Sequence, residues 1–125
     1  DLKNFHIIND IYSYDIGDEV ISIFLKIVKH QLPLKSFSLR YRHGDEFIFF
    51  IPKDLKLTKR LFQIIQGKVE NYHFQCLDNN LEKFTVSFRY ASYSITKSEK
   101  DFRSILSKAE NELRLIKEKG SPRKE

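Results

Sequence analysis

Phe37-Ser38-Leu39-Arg40-Tyr41-Arg42-His43-Gly44-Asp45-Glu46-Phe47-Ile48-Phe49-Phe50-Ile51 decides the fold class of this chain. Phe37, Leu39 and Tyr41 alternate with Ser38, Arg40 and Arg42, the period of a half-buried strand. After the polar His43-Gly44-Asp45-Glu46, the apolar run from Phe47 to Ile51 reads as a second strand, and two strands joined this closely make an antiparallel hairpin. Upstream, Asp18 reads as the opening of a helix that carries Ile21, Phe24, Leu25 and Val28 at i, i+3, i+4 and i+7, with Pro33 past its end. Downstream, Pro52 ends the hairpin, and Thr58 can cap a helix bearing Leu61, Ile64, Ile65 and Val69. Phe84, Val86, Phe88 and Tyr90 alternate with Thr85, Ser87 and Arg89 as a long strand. Ser98 with Asp101 reads as a capping box for a last helix whose apolar face is Phe102, Ile105, Leu106, Ala109, Leu113 and Ile116. Helices that return the chain between strands, together with an antiparallel hairpin, predict an α+β fold: a mixed sheet with helices packed on it, of the ferredoxin-like kind.

The composition agrees with one compact domain over 1–120 and a flexible tail at 121–125. Among 125 residues, 41% are hydrophobic and only four are Gly and three Pro, which excludes disordered and collagen-like chains. Eleven Phe and six Tyr supply the core. The single cysteine, Cys76, cannot form an internal bridge, so a reducing cytoplasm is the expected compartment. The apolar stretch from Ile21 to Val28 is broken by Ser22 and Lys26 and falls short of the roughly 20 residues that span a bilayer. No membrane contact by this domain is expected, and Asp1 to Asn4 lack a signal-peptide pattern. A net charge of +5 favours anionic ligands, but the basic residues are spread along the chain, so charge names no partner.

The chemistry concentrates at the hairpin tip. Asp45 and Glu46 follow Gly44 directly and should project to opposite faces. As plain turn chemistry, Gly44-Asp45 needs no function and both acids are simply solvated. A second acid alters the reading: Asp1 opens a segment that could end a strand beside the hairpin, and one or two carboxylates with substrate phosphates suffice for magnesium.

The stretch Asp1-Leu2-Lys3-Asn4-Phe5-His6-Ile7-Ile8-Asn9-Asp10-Ile11-Tyr12-Ser13-Tyr14-Asp15-Ile16-Gly17-Asp18 resembles, without a gap, the D-x-D-x-F-K-x-I-N-D-x-x-G-H-x-x-G-D opening of the GGDEF family of diguanylate cyclases. His43-Gly44-Asp45-Glu46-Phe47 is similar to the signature pentapeptide, Phe84-Thr85-Val86-Ser87 to the family's V-T-V-S strand, and Ala109 to Gly120 to its final helix end. The resemblance implies a palm-type, nucleotide-cyclase-like sheet and a reaction that condenses two GTP into cyclic di-GMP, with a homodimer as the active form. It implies that Asp1, Asp45 and the Leu2 carbonyl hold Mg2+ or Mn2+, and that Glu46 is either a further metal ligand or the group that helps deprotonate the attacking 3′-hydroxyl. It sets Asn9 and Asp18 at the guanine, where a carboxylate accepts from N1 and N2 hydrogens and an amide both donates and accepts. It sets Phe5, His6, Gly44 and Lys117 around the phosphates. Each residue also has a plainer reading: Asp18 as a helix N-cap, Asn9 as turn chemistry, Phe5 as core, Lys117 as a solvated lysine near a helix C-terminus.

The departures from the pattern favour an alternative, a degenerate module that binds GTP or regulates through dimerisation without turnover. His43 stands for the first signature glycine, Lys3 for the second aspartate, His6 for a lysine, Ser121 for an arginine that Arg123 could replace, and Arg89 for a glycine. One extra residue separates Asp18 from the signature, which either lengthens the loop or inserts Arg42 beside the turn. Lys35-Ser36-Phe37-Ser38 stands where an R-x-x-D product-inhibition motif would be, so no inhibitory site of that type is expected. The family's helix and most of a strand that precede Asp1 are expected in a longer chain, where this domain serves a larger sensory or membrane-tethered protein. Nucleic-acid binding is the weakest reading, because no K/R-G-F/Y-G/A-F motif is present.

Overall fold

The computed structural model describes residues 1–41, 44–75, 83–96, 98–99 and 101–120. Readings that involve Arg42, His43, Cys76, Ser121, Arg123 and the tail at 121–125 lie outside the described residues. The fold is α+β, in the order α1 (Phe5–Ile11), α2 (Tyr14–Gln31), β1 (Phe37–Tyr41), β2 (Glu46–Phe50), α3 (Leu55–Glu70), β3 (Phe74–Gln75), β4 (Lys83–Phe84) and α4 (Phe102–Gly120).

The hairpin forms as the alternation predicts, antiparallel, with Phe37 opposite Phe50 and Tyr41 opposite Glu46. Its turn needs Gly44, whose φ of +79° is a conformation that side chains disfavour; its carbonyl accepts a 2.9 Å bond from Arg40 Nε. Beside the hairpin the chain start is extended, as expected. The Leu2 N–H donates to Asp45 O at 3.0 Å on one side, while Leu2 pairs antiparallel with Phe88 on the other. Main-chain bonds from Asp1 N to Arg89 O, Arg89 N to Asp1 O and Lys3 N to Ser87 O complete that ladder at 2.8–3.0 Å. The residues at 1–3 therefore form the seam between the hairpin and the segment at 87–89.

Several expected boundaries move. The second helix starts at Tyr14, capped by Ser13, whose hydroxyl accepts from Ile16 N at 3.2 Å, so Asp18 lies inside the helix and is no N-cap. Asp54, not Thr58, caps α3, accepting from Leu57 N at 2.7 Å. Asp101 supplies the side-chain bond at the start of α4, to Arg103 N, where Ser98 was expected. In each case a short oxygen-bearing side chain nearer the first turn reaches the orphan amides first. The long strand expected over Phe84 to Tyr90 is regular only at Lys83–Phe84, paired with β3, and at the Phe88 bridge.

The core lies on one side of this floor. Val20, Ile21, Phe24 and Val28 of α2 and Phe62, Ile65 and Val69 of α3 pack with Leu2, Phe74, Val86 and Phe88. Phe24 meets Phe88 edge-on at 5.4 Å and Phe47 at 5.4 Å. Each such side chain contributes about 1.5–3 kcal/mol by leaving water. The other side is thinner. The β1 residues expected to face inward, Phe37 and Leu39, stay 58% and 44% exposed. Along α4, Ile105, Leu106, Ala109 and Leu113 are half-buried, and Phe102 and Ile116 are exposed. The physical reason is a cavity of about 460 Å3 whose lining includes Phe37, Phe50, Tyr90 and Leu106, so apolar groups on both walls keep access to solvent. Polar tethers and aromatic stacking hold α4 across it: Tyr41 Oη donates to Glu110 at 2.5 Å, Lys108 pairs with Glu99 at 3.5 Å, and Phe102 stacks on Phe50 at 6.1 Å.

Candidate functional site

Alternation along the 1–3 and 87–89 ladder sends Leu2 and Phe88 into the core and turns Asp1 to the opposite side, toward α4. Near the C-terminal end of α4, Lys117 extends its ammonium into the same space. It lies 3.4 Å from Asp1 Oδ2 and 3.3 Å from Glu46 Oε1. The two carboxylates are only 10% and 22% exposed, so they meet on one cation in a partly desolvated place. Asp45 joins this cluster through its main chain, by the bond from Leu2 N to its carbonyl. Three elements distant in sequence therefore converge: the chain start, the hairpin tip and the end of α4.

Among the described residues, no group of three or more His, Cys, Asp and Glu side chains is arranged to hold a metal ion. A magnesium site needs less than that, because the ion keeps water or phosphate oxygens for most of its positions. The donors present suit it. Asp1 and Glu46 supply hard oxygens, and the carbonyl oxygen of the buried Leu2 accepts no hydrogen bond from the described residues, which leaves an acceptor available.

A second group forms between α1 and α2. Asn9 lies on α1, half-buried, and its carboxamide packs against the backbone of Gly17: a Cβ built there would stand 2.0 Å from Asn9 Oδ1 and 3.1 Å from the Phe5 ring. Asp18 follows directly and is exposed. Gly17 thus gives the Asn9 side chain its place, a role the sequence reading did not assign to it; its signal was a glycine in the fourth position of a helix, where no turn requires one. Phe5 is core, 7% exposed, while His6 stands exposed on the next position of α1. Asn4, with φ of +55°, makes the left-handed turn between the extended start and α1. Along the chain, α1 links the residues at 1–3 to the Asn9–Asp18 group.

Arg89 is paired main chain to main chain with Asp1, yet the Asp1 carboxylate goes to Lys117. Burial holds the Tyr90 phenol above its ordinary pKa, so it remains a neutral donor.

Comparisons with known proteins agree with this fold. The crystal structure of the GGDEF domain of DgcB from Caulobacter crescentus in complex with c-di-GMP superposes with a TM-score of 0.78, covering 98% of this chain and 71% of that one at 17% identity. The active GGEEF domain of a diguanylate cyclase from Vibrio cholerae gives 0.71, covering 96% of this chain and 74% of that one at 20% identity. An uncharacterized membrane protein of Staphylococcus saprophyticus is 30% identical over 122 residues, 96% of this chain and 33% of that protein, so the chain spans about a third of the relative's length. Among the described residues, no helix is long and apolar enough to cross a membrane. The family description "Diguanylate cyclase, GGDEF domain" matches residues 1–123, and the chain belongs to the GGDEF family.

Proposed function

We propose that this chain is a magnesium-dependent diguanylate cyclase module that condenses two GTP into cyclic di-GMP and works as a homodimer, each protomer presenting one nucleotide to the other. The observation that supports it most is the meeting of Asp1 and Glu46 on Lys117 beside the Asp45 main chain. Asp1, Asp45 and the Leu2 carbonyl would hold Mg2+ or Mn2+; the ion, when bound, neutralises charge on the triphosphate oxygens. Asp18 accepts hydrogen bonds from guanine N1 and N2, and Asn9 both donates to and accepts from the base. The backbone around Phe5, His6 and Gly44 borders the phosphates. Glu46, on the α4 side, takes the proton of the attacking 3′-hydroxyl as that oxygen bonds to the α-phosphorus of the second GTP, and pyrophosphate leaves. Lys117 then exchanges its two carboxylates for phosphate oxygens.

The test is direct: incubation of the protein with GTP and magnesium under dimer-forming conditions, with cyclic di-GMP sought by mass spectrometry. Absence of product at any protein concentration overturns the assignment. A second reading, GTP binding without turnover, has its own support, because Lys117 neutralises the very carboxylates a metal requires. Calorimetric binding of GTP without product would establish it. The membrane-protein relative, three times the length of the aligned segment, supports a place for this module on the cytoplasmic side of a larger signalling protein.

A further inference from the structure

Lys3 and Arg89 are two of the residues that depart from the family pattern, and the fold brings them together. Both lie on the face of the ladder opposite Leu2 and Phe88, diagonally across it, and both line one cleft of about 380 Å3 with Gln66, Tyr90 and Ile116. Neither side chain makes a hydrogen bond or ion pair among the described residues. Lys3 and Arg89 are diagonal neighbours on this face, two cations at one cleft, while the direct cross-strand partner of Arg89 is Asp1 and that of Lys3 is Ser87. The nearest acid by main-chain pairing, Asp1, is occupied by Lys117. Gln66 Nε2 donates to the Phe88 carbonyl at 2.9 Å, which occupies an acceptor that would otherwise repel an anion in the cleft. Arg89 also lines the larger cavity bordered by Asp1 and Glu46, so the cleft adjoins the acid cluster.

We propose that Lys3 and Arg89 form a pyrophosphate-binding cleft beside the acid cluster, occupied either by the terminal phosphates of a bound nucleoside triphosphate or by free pyrophosphate. A guanidinium grips phosphate oxygens bidentately and an ammonium adds a point charge, the pair of donors that this ligand class rewards. Its assignment to a nucleotide rests on the cyclase reading; the binding of pyrophosphate does not.

Calorimetric titration of the protein with pyrophosphate, without divalent cation, tests the cleft. Lys3→Gln and Arg89→Gln should each weaken binding roughly tenfold and the double variant further, while Lys29→Gln on exposed α2 leaves it unchanged. Unaltered affinity in a folded double variant, or no saturable binding by the wild type, overturns the proposal. Competition identifies the source: if the cleft holds nucleotide phosphates, pyrophosphate displaces GTP and Arg89→Gln weakens GTP but not GMP; if pyrophosphate binds alongside GTP, the cleft serves the free ion. Loss of pyrophosphate binding in the variants of a protein that makes no cyclic di-GMP would sustain the cleft and overturn the cyclase reading alone.

Discussion

Replacing Gly17 by alanine separates a packing effect from a binding effect within a single methyl group. In a helix interior, Gly→Ala ordinarily stabilises by about 0.5–1 kcal/mol. At Gly67, in α3, a Cβ would meet nothing within 4 Å, so Gly67→Ala should show that full gain. At Gly17 the same Cβ would stand 2.0 Å from Asn9 Oδ1, 3.2 Å from its Cγ and 3.1 Å from the Phe5 ring. Asn9 must rotate away, and Phe5, 7% exposed, must yield within a packed core. Overpacking of this kind costs about 1–3 kcal/mol. Set against the helical gain, the net is a loss of about 0–2.5 kcal/mol, where Gly67→Ala gains. For a chain this long, 1 kcal/mol is roughly 3–5 °C in Tm. Rotation of Asn9 also removes the polar contacts with guanine proposed for it, so GTP affinity should fall by about 1–3 kcal/mol, roughly five- to 150-fold. Differential scanning calorimetry of both variants and GTP titration of Gly17→Ala measure these quantities. If Gly17→Ala raises Tm as much as Gly67→Ala and binds GTP like the wild type, Asn9 is not held against Gly17 for guanine recognition.

Three further outcomes are expected. Lys117→Gln leaves Asp1 and Glu46 facing each other without a cation; it should lower stability by about 1–3 kcal/mol, and added Mg2+ should raise its Tm more than that of the wild type. Equal Tm responses to Mg2+ would remove these acids from the proposed metal site. Tyr41→Phe deletes the bond to Glu110 that ties β1 to α4 and should cost about 1–2 kcal/mol in urea denaturation, with the α+β spectrum retained. The Tyr93 hydroxyl, then Thr96, hold the Glu99 carboxyl below the usual carboxylate range. Their stabilisation is therefore present at neutral pH and is lost as pH falls through the lowered pKa, so Tyr93→Phe should flatten the loss of urea midpoint between neutral and acid pH. An unchanged acid slope in Tyr93→Phe would show that this bond does not couple Glu99 to folding.

What the sequence determined is local or periodic. Alternation in Phe37–Tyr41 and the apolar run Phe47–Ile51 suffice for a hairpin, because they and Gly44 together specify two strands and a left-handed turn. The 3.6-residue spacing of Ile21, Phe24 and Val28 likewise marks the buried face of α2. Cap positions escaped it, because Ser13, Asp54 and Asp101 compete with Asp18, Thr58 and Ser98 by distances of a few ångström that no spacing rule encodes. The exposure of Phe37 and Leu39 was also beyond reach, since alternation defines two faces but not which one a helix covers. Only the tertiary structure decided that residues 1–3 form the seam between hairpin and ladder, that one ammonium from α4 serves carboxylates 71 residues apart from it and at the chain start, and that Lys3 and Arg89 share a cleft. Those are meetings of residues distant in sequence, fixed by where the core lets the backbone close, and the letters of the chain carry no such distances.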